Sequence, residues 1–226
     1  MLASYLSAMH SLPEALLALK KGRFAMLHDG DGRENEADLL LLAEKATPAK
    51  VRLLRKDAGG LICLATDGAT AARLSLPFAA DLLPPRLAAG GRRKMPYGDQ
   101  SAFSISINHM RTFTGITDND RARTISEFGR LVKRKGGSRE FTRNFRTVGH
   151  VFLLVSRGLA KRKGHTELSI SLAEMAGTTP AVVLCEMLSD SGKAASREEA
   201  ASYAKKHGIP FIEGKQLVKL WQKQKK

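Results

Sequence analysis

Short apolar runs bounded by polar or glycine-rich stretches set the strongest limit on what this chain can fold into. Leu39–Ala43, Leu61–Ala65, Val151–Val155 and Ala181–Met187 read as strands, the first of them buried. Phe24–His28 and Pro210–Ile212 add two more. Phe103–Ile107 alternates with period two, the pattern of a half-buried strand. Helical segments lie between them. Pro13–Lys20 ends at Gly22, Thr47-Pro48 caps a helix to about Lys56, and Gly68–Leu74 follows the third strand. Asp118 or Asn119 is the expected cap of a helix running through Val132, and His165–Met175 ends at Gly177. Arg197–His207 and Gly214–Gln222 complete the set. Irregular alternation of this kind predicts an α+β (mixed α/β) fold with one mixed sheet covered by helices. Pro77–Gln100 reads as an irregular excursion and Lys133–Arg143 as a basic flexible loop. The glycine-rich dinucleotide fingerprint and the P-loop are both absent, which argues against a nucleotide-binding doubly wound sheet.

The 226 residues are 43 % apolar, enough for a sizeable core in one domain spanning 1–226. Cys63 and Cys185 both sit in apolar runs and read as reduced thiols. The N-terminus lacks the layout of a signal peptide, and the leucine run Leu39–Leu42 is closed by Glu44, far short of a membrane span. The expectation is a cytoplasmic protein with no membrane partner. A formal net charge of +15 implies attraction for anions, whether phosphorylated metabolites or nucleic acids. The excess gathers in Arg130–Arg146, in the C-terminal helix and tail (213–226) and in Arg92-Arg93-Lys94, and its ordinary reading is solvated surface.

Two distant motifs carry chemistry. Arg33-Glu34-Asn35-Glu36-Ala37-Asp38 packs three carboxylates and a guanidinium into six residues. In an extended segment Glu34, Glu36 and Asp38 share one face, where they repel one another unless a cation joins them. Mg²⁺ takes such hard oxygen ligands. Gly164-His165-Thr166-Glu167 stands at an expected helix start, preceded by Arg162 and Lys163. A helix N-terminus with adjacent cationic donors favours a phosphate, and His165 offers a neutral imidazole to a metal. Each motif alone also reads as a solvated acidic loop or a helix cap.

Other residues are more ambiguous. His150, between Gly149 and an apolar strand, is a candidate for proton transfer or a surface histidine. Glu186 ends a strand and reads equally as a site carboxylate with a raised pKa or as the partner of a core-edge arginine. Cys63 reads as an inert buried thiol or as lining of a site. Thr114–Arg121, with Thr114 and Thr117, reads equally as an anion nest or a capped loop. His28, His109 and His207 have no matching partners and receive no chemistry, and Leu217, Leu220 and Trp221 read as a helix packing face.

RENE-x-D, Gly59-Gly60-Leu61-Ile62-Cys63, Phe113–Ala122, Gly149-His150-Val151, GHTE and Leu184-Cys185-Glu186 together resemble, in order, the 3,4-dihydroxy-2-butanone 4-phosphate synthase family. The resemblance runs from about Leu17 to Phe211. It implies a three-layer domain with a mixed, twisted sheet flanked by helices, acting as a homodimer. It implies conversion of D-ribulose 5-phosphate to 3,4-dihydroxy-2-butanone 4-phosphate and formate, a lyase step of riboflavin biosynthesis using Mg²⁺, with Mn²⁺ as a substitute and no organic cofactor. By matching position, Glu34 and His165 resemble the metal ligands. Arg33, Glu34, Asp38, Arg162, Lys163, Gly164, His165, Thr166 and Glu186 resemble the substrate contacts. His150 and Glu186 match positions essential for catalysis, and Asp38 or Glu186 is the candidate base. Cys63, Thr114 and Thr117 are candidate lining residues. Ala37 stands where the family usually has glycine, and the basic segment Lys133–Arg143 has no counterpart in that chemistry. The chain length leaves no room for the cyclohydrolase domain fused to some relatives. The competing readings are a basic nucleic-acid-binding protein and a tRNA- or nucleotide-binding relative of the same sheet fold. No RNA-recognition aromatic signature or zinc-finger spacing supports the first, and the intact RENE and GHTE pair argues against the second.

Overall fold

All six residues of the strand Ala37–Leu42 are buried, which is why its leucine run shows no polar alternation. Leu39 and Leu41 pack into an apolar cluster on one face of the sheet, Leu40 and Leu42 into a second cluster on the other. A strand inside a sheet covered on both faces needs apolar side chains in both directions. The same holds for Ala181–Glu186, where Val183 and Cys185 face one cluster and Val182 and Leu184 the other.

The structure, a computed structural model, describes residues 12–30, 33–84 and 95–224. In chain order the elements begin with α1 (Leu12–Lys20), β1 (Ala25–His28), β2 (Ala37–Leu42) and α2 (Pro48–Leu53), which continues as a wider turn through Ala58. Next come β3 (Cys63–Thr66), α3 (Gly68–Leu74), the short α4 (Ala79–Leu82), β4 (Phe103–His109), α5 (Asp118–Lys133) and α6 (Ser138–Asn144). The chain ends with β5 (Phe145–Val155), α7 (His165–Met175), β6 (Ala181–Glu186), α8 (Arg197–Lys206), β7 (Phe211–Glu213) and α9 (Gly214–Gln224). The seven strands form one sheet in the order β4-β5-β3-β6-β2-β1-β7. β5 and β3 pair in parallel, as do β1 and β7; the other neighbours are antiparallel. Residues of α2, α3, α5, α6 and α8 build the first apolar cluster, and residues of α1, α7 and α9 the second. This is the mixed sheet between two helical layers that the resemblance implies.

Most expected elements are present, with local differences. Thr117, not Asp118 or Asn119, caps α5 by accepting from the Asp120 amide at 3.1 Å. The expected loop Lys133–Arg143 contains α6, whose Phe141 is buried against Phe128 and Phe145. Its charges are partly paired: Arg134 binds Glu140, and Lys133 reaches Glu44 at 3.0 Å. β5 starts six residues before the expected Val151, because its first half is exposed and lacks an apolar run. Ser11, Asp31-Gly32, the cluster Arg92-Arg93-Lys94 and the final Lys225-Lys226 lie outside the described residues. No helix among the described residues is long and apolar enough to cross a membrane.

At the β1–β7 edge two buried charged side chains, His28 and Glu213, meet the half-buried Arg197. His28 Nδ1 lies 3.3 Å from Glu213 Oε2, while Arg197 donates to Glu213 Oε1 from Nε at 2.7 Å and Nη2 at 2.6 Å. The His28 hydrogen bond draws the Glu213 carboxyl down to about 2, against the effect of burial, and Arg197 reinforces it. The Glu213 hydrogen bond raises the His28 pKa, again against burial. A depressed carboxyl contributes stability above its ordinary 4.5 and loses it as the pH falls towards 2. A raised imidazole contributes below its ordinary 6.5 and loses it as the pH climbs through the folded value. Glu213→Gln is therefore expected to lose about 1–3 kcal/mol, most of it between pH 4.5 and 6.5. Thermal unfolding of both proteins across pH checks this; a deficit that does not shrink in acid excludes the ion pair as its source.

Candidate active site

The antiparallel pairing of β2 with β6 sets Asp38 directly opposite Glu186. Asp38 has the parity of Leu40 and Leu42, and Glu186 that of Leu184, so both carboxylates leave the sheet on the side of α7. The first turn of α7 brings His165 to them: its Nδ1 lies 3.5 Å from Asp38 Oδ2 and 3.8 Å from Glu34 Oε2. Ligand atoms of Glu34, Glu36 and His165 lie within 4.8 Å of one another, as do those of Asp38, His165 and Glu186.

The RENEAD segment reaches this geometry by a different route from the expected extended chain. Arg33 and Glu34 form a turn, and Asn35 is left-handed with φ 56°. The Asp29 carboxylate accepts from the amides of Glu34 at 3.2 Å and Glu36 at 3.1 Å, so the turn folds around it. The three carboxylates still converge, and Glu36 joins the cluster as a third acidic donor on equal terms with Glu34.

Crowding shows in the proton affinities. Burial, then the charges of Glu34, Asp38 and Glu186, pushes Glu36 up to about 7. Burial, then Asp38, raises Glu186. Burial depresses His165, but Asp38, Glu34 and Glu186 more than reverse this and lift it to about 10. Asp38 is 0 % exposed. Neither of its carboxylate oxygens has a hydrogen-bond partner among the described residues. Buried carboxylates without donors need a cation. Oxygen donors plus one imidazole suit Mg²⁺ or Mn²⁺.

A cationic wall stands beside the acidic one. Arg162 is nearly buried; its Nη1 donates to Glu167 at 2.6 Å and its Nη2 to Glu34 at 3.3 Å. Arg33 contacts Asp99, donates to Glu34 at 3.4 Å and lies 5.0 Å over the Tyr97 ring. Gly164 sits between the two guanidiniums, so a Cβ there would lie 2.5 Å from Arg33 Nη2 and from Arg162 Nη1. Gly164 also begins α7 with no side-chain cap, which leaves the helix amides available to an anion. Thr166 is fully buried, and its hydroxyl has no hydrogen-bond partner among the described residues. Lys163 is exposed beside them.

A family sequence model described as 3,4-dihydroxy-2-butanone 4-phosphate synthase matches residues 13–220. The chain belongs to this family. It is similar to the 3,4-dihydroxy-2-butanone 4-phosphate synthase of Methanothermobacter thermautotrophicus, 42 % identical over 216 residues, which cover 92 % of this chain and 94 % of that one. The crystal structure of the Candida albicans 3,4-dihydroxy-2-butanone 4-phosphate synthase matches with a TM-score of 0.72 at 33 % identity, covering 92 % of this chain and 96 % of that one. A crystal structure of a 3,4-dihydroxy-2-butanone 4-phosphate synthase in complex with two magnesium ions matches with a TM-score of 0.76 at 26 % identity, covering 95 % and 98 %.

The remaining family positions are not all gathered here. His150 is exposed on β5, and its ring Nδ1 lies 3.1 Å from Asn108 Nδ2, outside the acidic cluster. Thr114 and Thr117 are exposed in the loop before α5. That loop is no open anion nest, because the Asp120 carboxylate already accepts from the Gly115 amide at 2.9 Å. Cys63 is buried in the sheet, and burial pushes its thiol pKa well up, as for an inert core cysteine. No motif or spacing in the sequence marks a role for Asp29, Tyr97, Asp99 or Glu167. Asp29 carried a weak signal, as the first acidic residue of the loop leading to RENEAD. Gly60 is a further unassigned participant: its amide donates to the Glu186 carbonyl at 3.0 Å, and a Cβ would meet Glu186 Oε2 at 2.6 Å. Gly164→Ala meets the guanidinium ends of Arg33 and Arg162, side chains and not backbone. It is expected to keep the melting temperature within a few degrees while weakening binding of a sugar phosphate about tenfold or more, measured by calorimetry. Unchanged affinity would remove the two arginines from the anion site.

Proposed function

We propose that the chain converts D-ribulose 5-phosphate to 3,4-dihydroxy-2-butanone 4-phosphate and formate, a lyase reaction of riboflavin biosynthesis. The observation that carries this reading is the convergence of Glu34, Glu36, Asp38, Glu186 and His165 beside Arg33 and Arg162. Membership of the family supports it. Glu34 and His165, with Glu36 beside them, would hold Mg²⁺ or Mn²⁺, which supplies Lewis acidity to the ketone and neighbouring hydroxyl of the substrate. No organic cofactor is invoked.

The protein side chains do the rest. Arg33, Arg162, Lys163 and the amides opening α7 hold the phosphate at one end. Glu167 fixes Arg162 from behind through the 2.6 Å bond. The Thr166 hydroxyl donates to the sugar. Asp38 or Glu186 takes the C3 proton; Asp38 Oδ2 lies 3.5 Å from His165 Nδ1, and Glu186 Oε2 accepts from the Leu61 amide at 3.0 Å. His150 moves protons during loss of the C1 hydroxyl. A skeletal shift then takes C4 out of the chain, and hydration releases it as formate.

Incubation with ribulose 5-phosphate and Mg²⁺ is expected to yield formate, with loss on chelation and recovery on adding the ion back. Glu34→Gln and His165→Gln lose the response to the ion. Asp38→Asn or Glu186→Gln lowers C3 hydrogen exchange by about 10²–10⁴-fold. Absence of formate from the wild type with saturating Mg²⁺ overturns the assignment.

The protein is further inferred to act as a cytoplasmic homodimer forming one domain per chain. Free Cys63 and Cys185 accord with a reducing compartment. Near His150, Phe113 is 93 % exposed and Val148 86 % exposed, apolar surface that a second copy would cover. In such a dimer His150 serves the cluster of the other protomer. Mixing inactive His150→Ala with inactive Glu186→Gln is then expected to restore activity, about a quarter of wild type after random exchange. A mixture that stays inactive although subunits exchange places His150 in cis or outside the reaction.

A further inference from the structure

The row of β1 and β7 is apolar, with Ala25, Met26, Leu27, Phe211 and Ile212 buried, except where His28 and Glu213 stand side by side in register. Burying an imidazole, a carboxylate and part of a guanidinium in such a row is unfavourable unless every polar atom is matched. His28 is 1 % exposed and engages both ring nitrogens. Nδ1 faces Glu213 at 3.3 Å, and Nε2 faces Asn35 Oδ1 at 3.0 Å. An imidazolium donating from both nitrogens satisfies both acceptors at once. Arg197 closes the far end on Glu213 Oε1 at 2.7 and 2.6 Å. Four side chains from α8, β7, β1 and the Arg33–Glu36 turn therefore make one continuous hydrogen-bonded series.

The series ends at the residue that separates two ligand candidates. Asn35 is left-handed at φ 56°, so the backbone reverses between Glu34 and Glu36. Asp29 holds the amides on either side, at 3.2 and 3.1 Å. His28, one residue earlier, holds the Asn35 side chain. Consecutive residues of one strand end thus grip the turn by its backbone and by its tip. Asn35 itself is exposed and contributes nothing to the core. A buried charged series that terminates on an exposed turn residue links the turn to the core.

We propose that His28, braced by Glu213 and Arg197, is a positioning residue for the ligand turn. It anchors Asn35 and so sets how Glu34 and Glu36 approach His165. This rests on reading Glu34, Glu36 and His165 as a cation site. Outer partners of metal ligands commonly govern affinity by about 10–100-fold without touching the ion.

The test uses the full chain and Mn²⁺ alone as probe. Wild type, His28→Leu, Asn35→Gly and the double variant are compared by electron paramagnetic resonance titration, thermal melting and metal-free hydrogen exchange at residues 33–37. Asn35→Gly keeps the left-handed backbone and removes only the side-chain bond. It also keeps the test alive if His28→Leu folds poorly. Leu131→Ala, in α5 and in contact with none of the four side chains, is the control for general destabilisation. Both single variants are expected to weaken Mn²⁺ binding about tenfold or more and to speed exchange of the turn amides. The double variant is expected to be no weaker than either single one, the mark of coupled residues. Leu131→Ala should lower the melting temperature and leave Mn²⁺ affinity intact. Unchanged Mn²⁺ affinity in the single variants overturns the proposal, even if exchange rises; so does full additivity in the double variant. If the wild type takes up no Mn²⁺, the cation reading fails instead, and the exchange comparison alone decides whether His28 anchors the turn.

Discussion

Mutual repulsion among Glu34, Glu36, Asp38 and Glu186, packed against a single imidazole, is the interaction around which the rest of the structure is arranged. Burial makes it severe: with the charges of Glu34, Asp38 and Glu186 it raises the proton affinity of Glu36, and with that of Asp38 the proton affinity of Glu186. His165 relieves part of it and is itself held protonated far above its ordinary range. A divalent cation relieves it more fully, because it adds two charges where the imidazolium adds one. It also frees His165 to become a neutral ligand. The cluster thus carries more buried negative charge than its one imidazole balances, and a divalent cation would supply the difference.

The two motifs divide the work. RENEAD supplies most of the acid, and Arg162–Glu167 supplies most of the base and a helix start. Each reaches into the other: Arg33 stands on the acidic side, and Glu167 beneath the cationic one. Arg162 is clamped between Glu167 and Glu34, and this ties the approach to α7 to the Arg33–Glu36 turn. Gly164 and Gly60 have no side chain for a concrete reason. Any Cβ would collide with the guanidinium pair at the first and with Glu186 at the second.

What was legible in the sequence follows what is local. The leucine run of β2 and the apolar runs of β3 and β6 announce strands because burial on both faces removes any ambiguity of composition. α3 and α7 begin where expected, since Asp67 caps one and Gly164 opens the other. α6 was hidden because Phe141 is its one buried apolar residue amid charges. The Asn35 reversal was hidden because its cause, the Asp29 carboxylate, acts across a loop and leaves no periodic trace. Motif reading gathered Arg33, Glu34, Asp38, Arg162, His165 and Glu186. It put Glu36 on the acidic face but not in the ligand pair, and it gave no place to Asp99 and Tyr97, which reach the site from a segment with no pattern of its own. His28 looked like a histidine without partners because both partners, Asn35 and Glu213, become neighbours only when β1 pairs with β2 and β7.

The chemistry of the site depends on strand register as much as on residue identity. Asp38 and Glu186 meet because β2 and β6 pair at that position, and they face α7 because each has the parity of the residues packed on that side. A slip of one residue in β2 would turn Asp38 to the opposite face while keeping most backbone hydrogen bonds. A strand with one polar face resists such a slip through its polar pattern, but β2 is buried on both faces and its four leucines are interchangeable in character. Register must therefore come from the ends. At one end the Met187 amide donates to the Ala37 carbonyl, and the Gly60 amide to the Glu186 carbonyl. At the same end His28 pairs with Ala37 in the β1–β2 ladder, and His28 and Asp29 hold the turn that leads into it. The groups that pin β2 in register and the groups that orient the ligand turn are adjacent members of one small region. The accuracy of the acidic cluster and the correct pairing of the central sheet are consequently enforced by the same contacts.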